Sequence, residues 1–500
     1  MAARDPRSTA GPGRRHADWL RVAELARAGK LREAAAITDR HLKPGSRDAD
    51  FMRMRATIEK HLGDGAASLR WALAAEAIAT HVDTALIVAR AEMRAGRTDA
   101  AIARCERILQ ASPGNTRARL IVAEALESAM RVQEAADALE SLRADAAAEP
   151  AVAVRVEYTR ASVMIHRGQF AQAVETLDAS VLNRAGDDPM RRRGLHLRAK
   201  ALDRAGRFDE AFESAARANA IGERPFDPAA YAAAVDALMQ VFTRDAMRAF
   251  PSSHSESEVP VFIAGMPRSG TSLLDQVIDA HAQAAGVGEM KDIERFAAEL
   301  EQAWNPDLPA PDCFGPVRDR AFRNAAQAYL AMCAREAPGA LRVVNKALSN
   351  NRMLGLVARL FPRTRIIHAL RDPRDVAISC FMGGFNAASY PWTTRLDWIA
   401  FAWRQSLRLM RHWQRELDVP MLEVHYERVV ADPGAEFPRV IDFLGLPWDE
   451  GCTRFHESKR TVRTLSYDQV NRPLYATSVE RWRRYERHLS GVEWPGCEDR

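Results

Sequence analysis

Residues 259–281 read VPVFIAGMPRSGTSLLDQVIDAH, and the fold of the chain turns on how this stretch is parsed. Val261, Phe262, Ile263 and Ala264 form a short apolar run after Pro260, the pattern of a strand buried on both faces of a parallel sheet. Two glycines follow, Gly265 and Gly270, and beyond them Leu273, Leu274, Val277 and Ile278 recur at helical spacing. Strand, glycine loop and helix predict an anion cradle: backbone N–H groups at a helix N-terminus point at the ligand, and small residues let it approach. The glycines are spaced as in the nucleotide loop G-x-x-x-x-G-K-[ST], but Thr271 stands at the lysine position. Without a lysine to reach the outer phosphates of ATP, a kinase reading weakens. Arg268 still supplies a charged, forked donor. The loop residues expected to meet the anion are Arg268, Ser269, Gly270, Thr271 and Ser272.

Downstream, strands are expected at 341–346, 365–370 and 421–426, with helices at 351–360 and 437–444. Strands alternating with helices predict an α/β domain of the P-loop type with a parallel sheet. In such sheets ligands bind at the carboxyl ends of strands. Arg371 ends one strand, Asp372 and Pro373 cap the next helix, and Asp375 falls in its first turn. Ser379, two turns on, faces the same side as that cap, so Arg371 and Ser379 suit a second phosphate. The proline-rich segment 305–317 is expected to be an irregular flap over the substrate site. No carboxylate pair flanks the loop and no acidic strand end of the Walker-B kind is present, so the expected reaction is metal-independent and no metal ligands are assigned. Trp482 and Tyr485 are expected to pack a closing helix.

Five hundred residues exceed what one core usually supports. A net charge of +5 is small for this length and argues against nucleic acid as a partner. The six cysteines are scattered, without zinc spacing, and read as reduced thiols. The N-terminus is basic but lacks the apolar core of a secretory signal, and no run is long enough to span a bilayer; a cytoplasmic protein without membrane contact is expected. Residues 1–16 are expected to be a disordered tail. From 17 onward the chain is dense in Ala, Leu, Arg and Glu, and small-residue turns at Gly29, Gly63, Gly96, Met130, Gly168 and Gly206 recur at intervals of 34, 33, 34, 38 and 38. That period is close to the tetratricopeptide repeat, in which antiparallel helix pairs stack into a solenoid with a concave groove for a peptide or protein. The expected organisation is a helical repeat domain over 17–250, including a bridging helix at 228–250, a Ser-rich linker at 251–258 and the α/β domain over 259–500. The oligomeric state is left open, a homodimer included.

The core Pro267-Arg268-Ser269-Gly270-Thr271 after a first strand resembles the sulfotransferases. More narrowly, Pro267 to Leu273, then Ile278-Asp279-Ala280-His281, then Gly288-Glu289 is similar to the tyrosylprotein sulfotransferase branch. The likeness continues through Asn345-Lys346, Tyr426 in H-Y-E, 442–446 and 466–473, and leaves the repeats outside it. It implies 3′-phosphoadenosine 5′-phosphosulfate as the donor, with Arg371 and Ser379 on its 3′-phosphate and Tyr426 against the nucleotide. It also implies Lys346 and Ser466 near the transferring group, and Arg472 in the place of a donor-binding lysine. Glu289 is the expected general base, accepting the acceptor's proton as its oxygen attacks sulfur. Lys346 and Arg268 are expected to neutralise charge on the leaving group. His281 and His368 are the alternative bases, since histidine serves in the cytosolic branch. Gly383 departs from the pattern, standing where the tyrosylprotein enzymes carry a further arginine. The implied acceptor is a hydroxyl, with a tyrosine in a peptide or protein held by the repeats as one candidate. Two rivals remain at this stage: a P-loop kinase dependent on ATP and magnesium, and a repeat scaffold with an inactive nucleotide-binding domain.

Overall fold

The computed structural model describes residues 12–495 apart from 63, 80, 95, 184–188, 304–318, 458–473 and 475. Its two compact units divide between Ala185 and Gly186.

The first unit is helical throughout its described residues: α1 Pro12–Arg27, α2 Leu31–His41, α3 Ala49–Leu62, α4 Gly65–Ile78, α5 Val82–Arg94, α6 Thr98–Ala111, α7 Thr116–Ser128, α8 Val132–Ala146, α9 Pro150–His166 and α10 Phe170–Leu177. The pairs stack as the period requires, with fully buried alanines such as Ala118, Ala123 and Ala125 where helices approach closely. The expected tail is shorter than its composition suggests. Residues 12–16 form the first turns of α1, fixed by Arg15 Nε, which donates to Asp48 Oδ2 at 2.8 Å. The turns inside the pairs adopt left-handed backbone: φ is 74° at Gly29, 71° at Gly96 and 76° at Gly168. Met130 holds the same place at φ 60°, where a Cβ is strained. Met130→Gly is therefore expected to stabilise this unit by about 0.5–1 kcal/mol, relief of strain exceeding the added chain entropy. An unchanged or lower urea midpoint for the variant would refute this.

The second unit begins with α11 Pro189–Arg204, α12 Phe208–Gly222, α13 Pro228–Val241 and α14 Arg244–Ala249. The expected bridging helix is thus two helices, broken where the Thr243 hydroxyl caps the second. Among the described residues the sheet has five strands, β1 Pro260–Gly265, β2 Ala284–Gly288, β3 Arg342–Asn345, β4 Arg365–Leu370 and β5 Met421–His425, in the order β2-β3-β1-β4-β5 with every pairing parallel. Between and after them run α15 Thr271–Asp279, α16 Asp292–Ala303, α17 Asp319–Glu336, α18 Asn350–Leu360, α19 Pro373–Met382, α20 Leu396–Glu416, α21 Tyr426–Ala431 and α22 Pro433–Phe443. β1 is buried at every position and its side chains alternate between faces. Val261 and Ile263 pack with α15 and α22, while Phe262 and Ala264 pack toward α17, α18 and α20. The parallel sheet with intervening helices is the α/β arrangement expected from the sequence, and the helices cover both of its faces.

Strand β2 was not among the expected strands. Its sequence, AAGVG, has no run of branched or aromatic residues to mark it. The last helix pair, read with the repeats from its period, packs into the same unit as the sheet. Asn219 Nδ2 donates to Phe381 O at 2.9 Å, and the Phe212 ring stacks on Phe381 at 4.9 Å. The expected linker at 251–258 is fastened too: the Ser252 and Ser253 hydroxyls donate to the carbonyls of Arg359 and Leu360 at the end of α18, at 3.1 and 2.5 Å. Those carbonyls lack intrahelical donors, so a serine-rich stretch beside a helix end becomes its cap. The expected flap at 305–317 lies outside the described residues.

Candidate active site

β1 is the central strand, with β3 on one side and β4 on the other, and the loop 266–270 leaves its carboxyl end between them. This is the switch point at which open α/β sheets hold ligands. Arg268 at φ 70° and Gly270 at φ 93° bend the loop, a conformation that lines concavities with backbone N–H groups. Gly270 is the N-cap of α15 and has no side chain to cap the first turn. A Cβ on Gly270 would meet the Tyr426 ring at 2.8 Å, so the tyrosine lies directly against the loop. Ser269, Thr271 and Ser272 are buried beside it.

Four of the expected residues converge here. Arg268 Nε donates to Ser379 Oγ at 2.8 Å, and Arg371 Nη1 donates to the Arg268 carbonyl at 3.0 Å. The Arg371 guanidinium lies over the Tyr426 ring at 4.6 Å. Arg371 is only 7% exposed, yet its Nε has no hydrogen-bond partner among the described residues. A buried, unsatisfied guanidinium N–H is costly unless something else accepts from it.

Local sequence explains the approach. Asp372 caps α19 by accepting from Arg374 N at 2.8 Å, which presents Arg371 and Ser379 on the loop side of the helix. Asp375 stands in the first turn of α19, as expected, but its side chain turns away from the helix's own N–H groups. Its two oxygens accept instead from Glu480 N and Trp482 N, each at 2.9 Å. Burial pushes the Asp375 carboxyl up, against the opposing pull of Arg371 and those two N–H groups.

Glu289 and Lys346 form a second group at the ends of β2 and β3. Lys346 Nζ lies 2.9 Å from Glu289 Oε1; the lysine side chain is 4% exposed and the glutamate 40%. The neighbouring backbones are joined as well, Lys346 N donating to Gly288 O at 2.9 Å. Burial pushes the Tyr390 hydroxyl up to about 12, with the charges of Glu289 and Glu294 adding to it. Neither Tyr390 nor Ser478, whose hydroxyl lies 3.1 Å from that of Tyr426, was singled out from the sequence.

The alternative bases are engaged elsewhere. His281 accepts from Gln283 N at Nδ1, at 3.0 Å, and Nε2 lies 2.8 Å from the Pro447 carbonyl. His368 is 2% exposed within β4, its Nδ1 3.4 Å from Glu423 Oε1, and the histidine contact holds the Glu423 carboxyl down at about 2. Trp482 and Tyr485 pack with Ile378 and Leu489, the closing role expected of them. Ser466 and Arg472 lie outside the described residues. Among the described residues no cluster of His, Cys, Asp and Glu is arranged to hold a metal, and no helix is long and apolar enough to cross a membrane.

The second unit is thus an α/β domain with a glycine loop at the switch point of its sheet and a buried arginine beside that loop. Residues 260–450 match the sulfotransferase family and residues 92–155 the tetratricopeptide repeat, so the two stretches are similar to two different families. A protein of Aquifex aeolicus is 29% identical over 301 residues, 59% of this chain and 40% of that protein. Protein-tyrosine sulfotransferase 1 of Danio rerio is 27% identical over 233 residues, 44% of this chain and 65% of its own length. This chain therefore spans less than two thirds of either relative. The sulfotransferase domain from the curacin biosynthetic pathway, 16% identical, aligns over 48% of this chain and all of its own, with a TM-score of 0.36.

Proposed function

We propose that the second unit transfers a sulfuryl group from 3′-phosphoadenosine 5′-phosphosulfate to an acceptor hydroxyl. The observation that carries the reading is Arg371: a buried guanidinium whose Nε has no hydrogen-bond partner among the described residues, beside an uncapped helix N-terminus and bonded to the loop that leads into it. Two anion-binding features side by side suit a nucleotide with phosphates on two ends of its ribose. The loop takes the 5′-phosphosulfate, Arg371 and Ser379 take the 3′-phosphate, and Tyr426 packs against the nucleotide.

In the reaction a bond forms between the acceptor oxygen and sulfur, and the bond from sulfur to the 5′-phosphate oxygen breaks. The acceptor's proton goes to the Glu289 carboxylate, which its ion pair with Lys346 holds in place. Negative charge grows on the departing bisphosphate, where Lys346 and Arg268 oppose it. The acceptor we favour is a tyrosine in a protein, as the names of the matched relatives suggest, with the repeats presenting it. The buried, unpaired thiols of Cys105, Cys333, Cys380 and Cys452 suit a reducing compartment, the cytoplasm.

Incubating the protein with isotopically labelled donor and a tyrosine peptide library, followed by mass spectrometry, tests the reaction and the acceptor together. Label on tyrosine is the expected result. Label only on sugars or small metabolites removes the tyrosine, and no transfer to any hydroxyl with ATP bound in its stead removes the sulfotransferase.

A further inference from the structure

Arg371 is held from two sides. Nη1 donates to the Arg268 carbonyl of the anion loop, and Nη2 donates to the carbonyl of Ser478, far away in the sequence. Ser478 belongs to a strap, residues 476–489, made of short helical turns that cross the N-terminal end of α19. The strap is hooked on by Asp375, whose carboxylate accepts from Glu480 N and Trp482 N, and by the Arg374 guanidinium, 3.7 Å above the Trp482 ring. Glu480 sits at φ 55°, a left-handed conformation that a non-glycine residue keeps only when its surroundings over-determine it. At its far end the strap is tied to the last helix pair: Tyr485 Oη donates to Asp203 at 2.5 Å, and the His488 ring stacks on Phe212 at 3.9 Å.

Arg371 Nη2 lies 3.6 Å from Asp375 Oδ2, so an anionic competitor stands within reach of the guanidinium. Arginine and carboxylate readily form a two-pronged pair, and such a pair would withdraw Arg371 from any phosphate. The strap prevents this in two ways at once. Its N–H groups occupy the Asp375 oxygens, and its Ser478 carbonyl holds Arg371 on the other side. A side chain fixed beforehand loses less freedom when the ligand arrives.

We infer that the strap, through Ser478 and Asp375, is a positioning device that keeps Arg371 free for the ribose 3′-phosphate, and that Ser478 is a positioning residue of the donor site. The inference rests on the donor reading given above.

Titration calorimetry of the full chain with adenosine 3′,5′-bisphosphate and adenosine 5′-monophosphate separates this role from a merely structural one. In Trp482→Ala the strap loosens, and the preference for the bisphosphate is expected to fall by about tenfold while the monophosphate binds as before. Ser478→Gly, at a partly exposed residue, spares the core and loosens the backbone that carries the carbonyl; it moves the same ratio in the same direction by about threefold. Adding Asp375→Ala to Trp482→Ala removes the competitor and restores part of the preference, which no loss of packing would do. Equal weakening of both nucleotides, or an unchanged ratio in both single variants, overturns the inference. A wild-type protein that does not distinguish the two nucleotides overturns the donor reading itself, and the inference with it.

Discussion

Arg371→Ala is expected to weaken binding of adenosine 3′,5′-bisphosphate by about a hundredfold, since each hydrogen bond to a charged group is worth about 1.5–3 kcal/mol. The side chain is 7% exposed and anchored on the carbonyls of Arg268 and Ser478, so its place is fixed before a ligand arrives. Arg371→Lys should recover little, because an ammonium cannot satisfy two carbonyls and a phosphate from one planar fork. Adenosine 5′-monophosphate, which lacks the 3′-phosphate, is the internal control. Its affinity should change little in either variant, and a parallel loss for both nucleotides would show that the arginine supports the fold rather than the ligand.

Glu289→Gln is expected to lower turnover by about 10²–10⁴-fold, the range typical of a lost general base. Glutamine keeps the length of the side chain and an oxygen for Lys346 Nζ, which now sits 2.9 Å from the carboxylate. Bisphosphate affinity should therefore survive while the chemical step fails. Single-turnover kinetics with saturating donor read that step directly. Turnover within a few-fold of the wild type would take Glu289 out of the mechanism and leave proton removal to another group.

The features of the fold and site legible in the sequence are those written in local pattern. Val261 to Ala264 announce a buried strand by composition alone, and Gly270 and Thr271 mark the turn into the helix. The cap at Asp372 follows from three adjacent residues, and the spacing from Arg371 to Ser379 follows from helix geometry. What escaped is what only tertiary contact decides. Asp375 looks like a first-turn acid, and nothing nearby says that its partners are Glu480 and Trp482, more than a hundred residues on. Ser478 is an ordinary serine until the fold brings it to Arg371. Strand β2 is spelled in alanine and glycine, so its place at the sheet edge comes from pairing with β3 rather than from propensity. The period of the repeats was legible and continued through Gly206, yet periodicity cannot reveal that α11 and α12 pack into the unit that holds the sheet.

The most direct test of the central claim is a crystal structure of the protein with adenosine 3′,5′-bisphosphate. The 5′-phosphate is expected against the backbone N–H groups of 269–272 and the 3′-phosphate on Arg371 and Ser379, with the Arg371 Nε no longer without an acceptor. A nucleotide lodged away from the loop, or a 3′-phosphate that Arg371 does not touch, would contradict it.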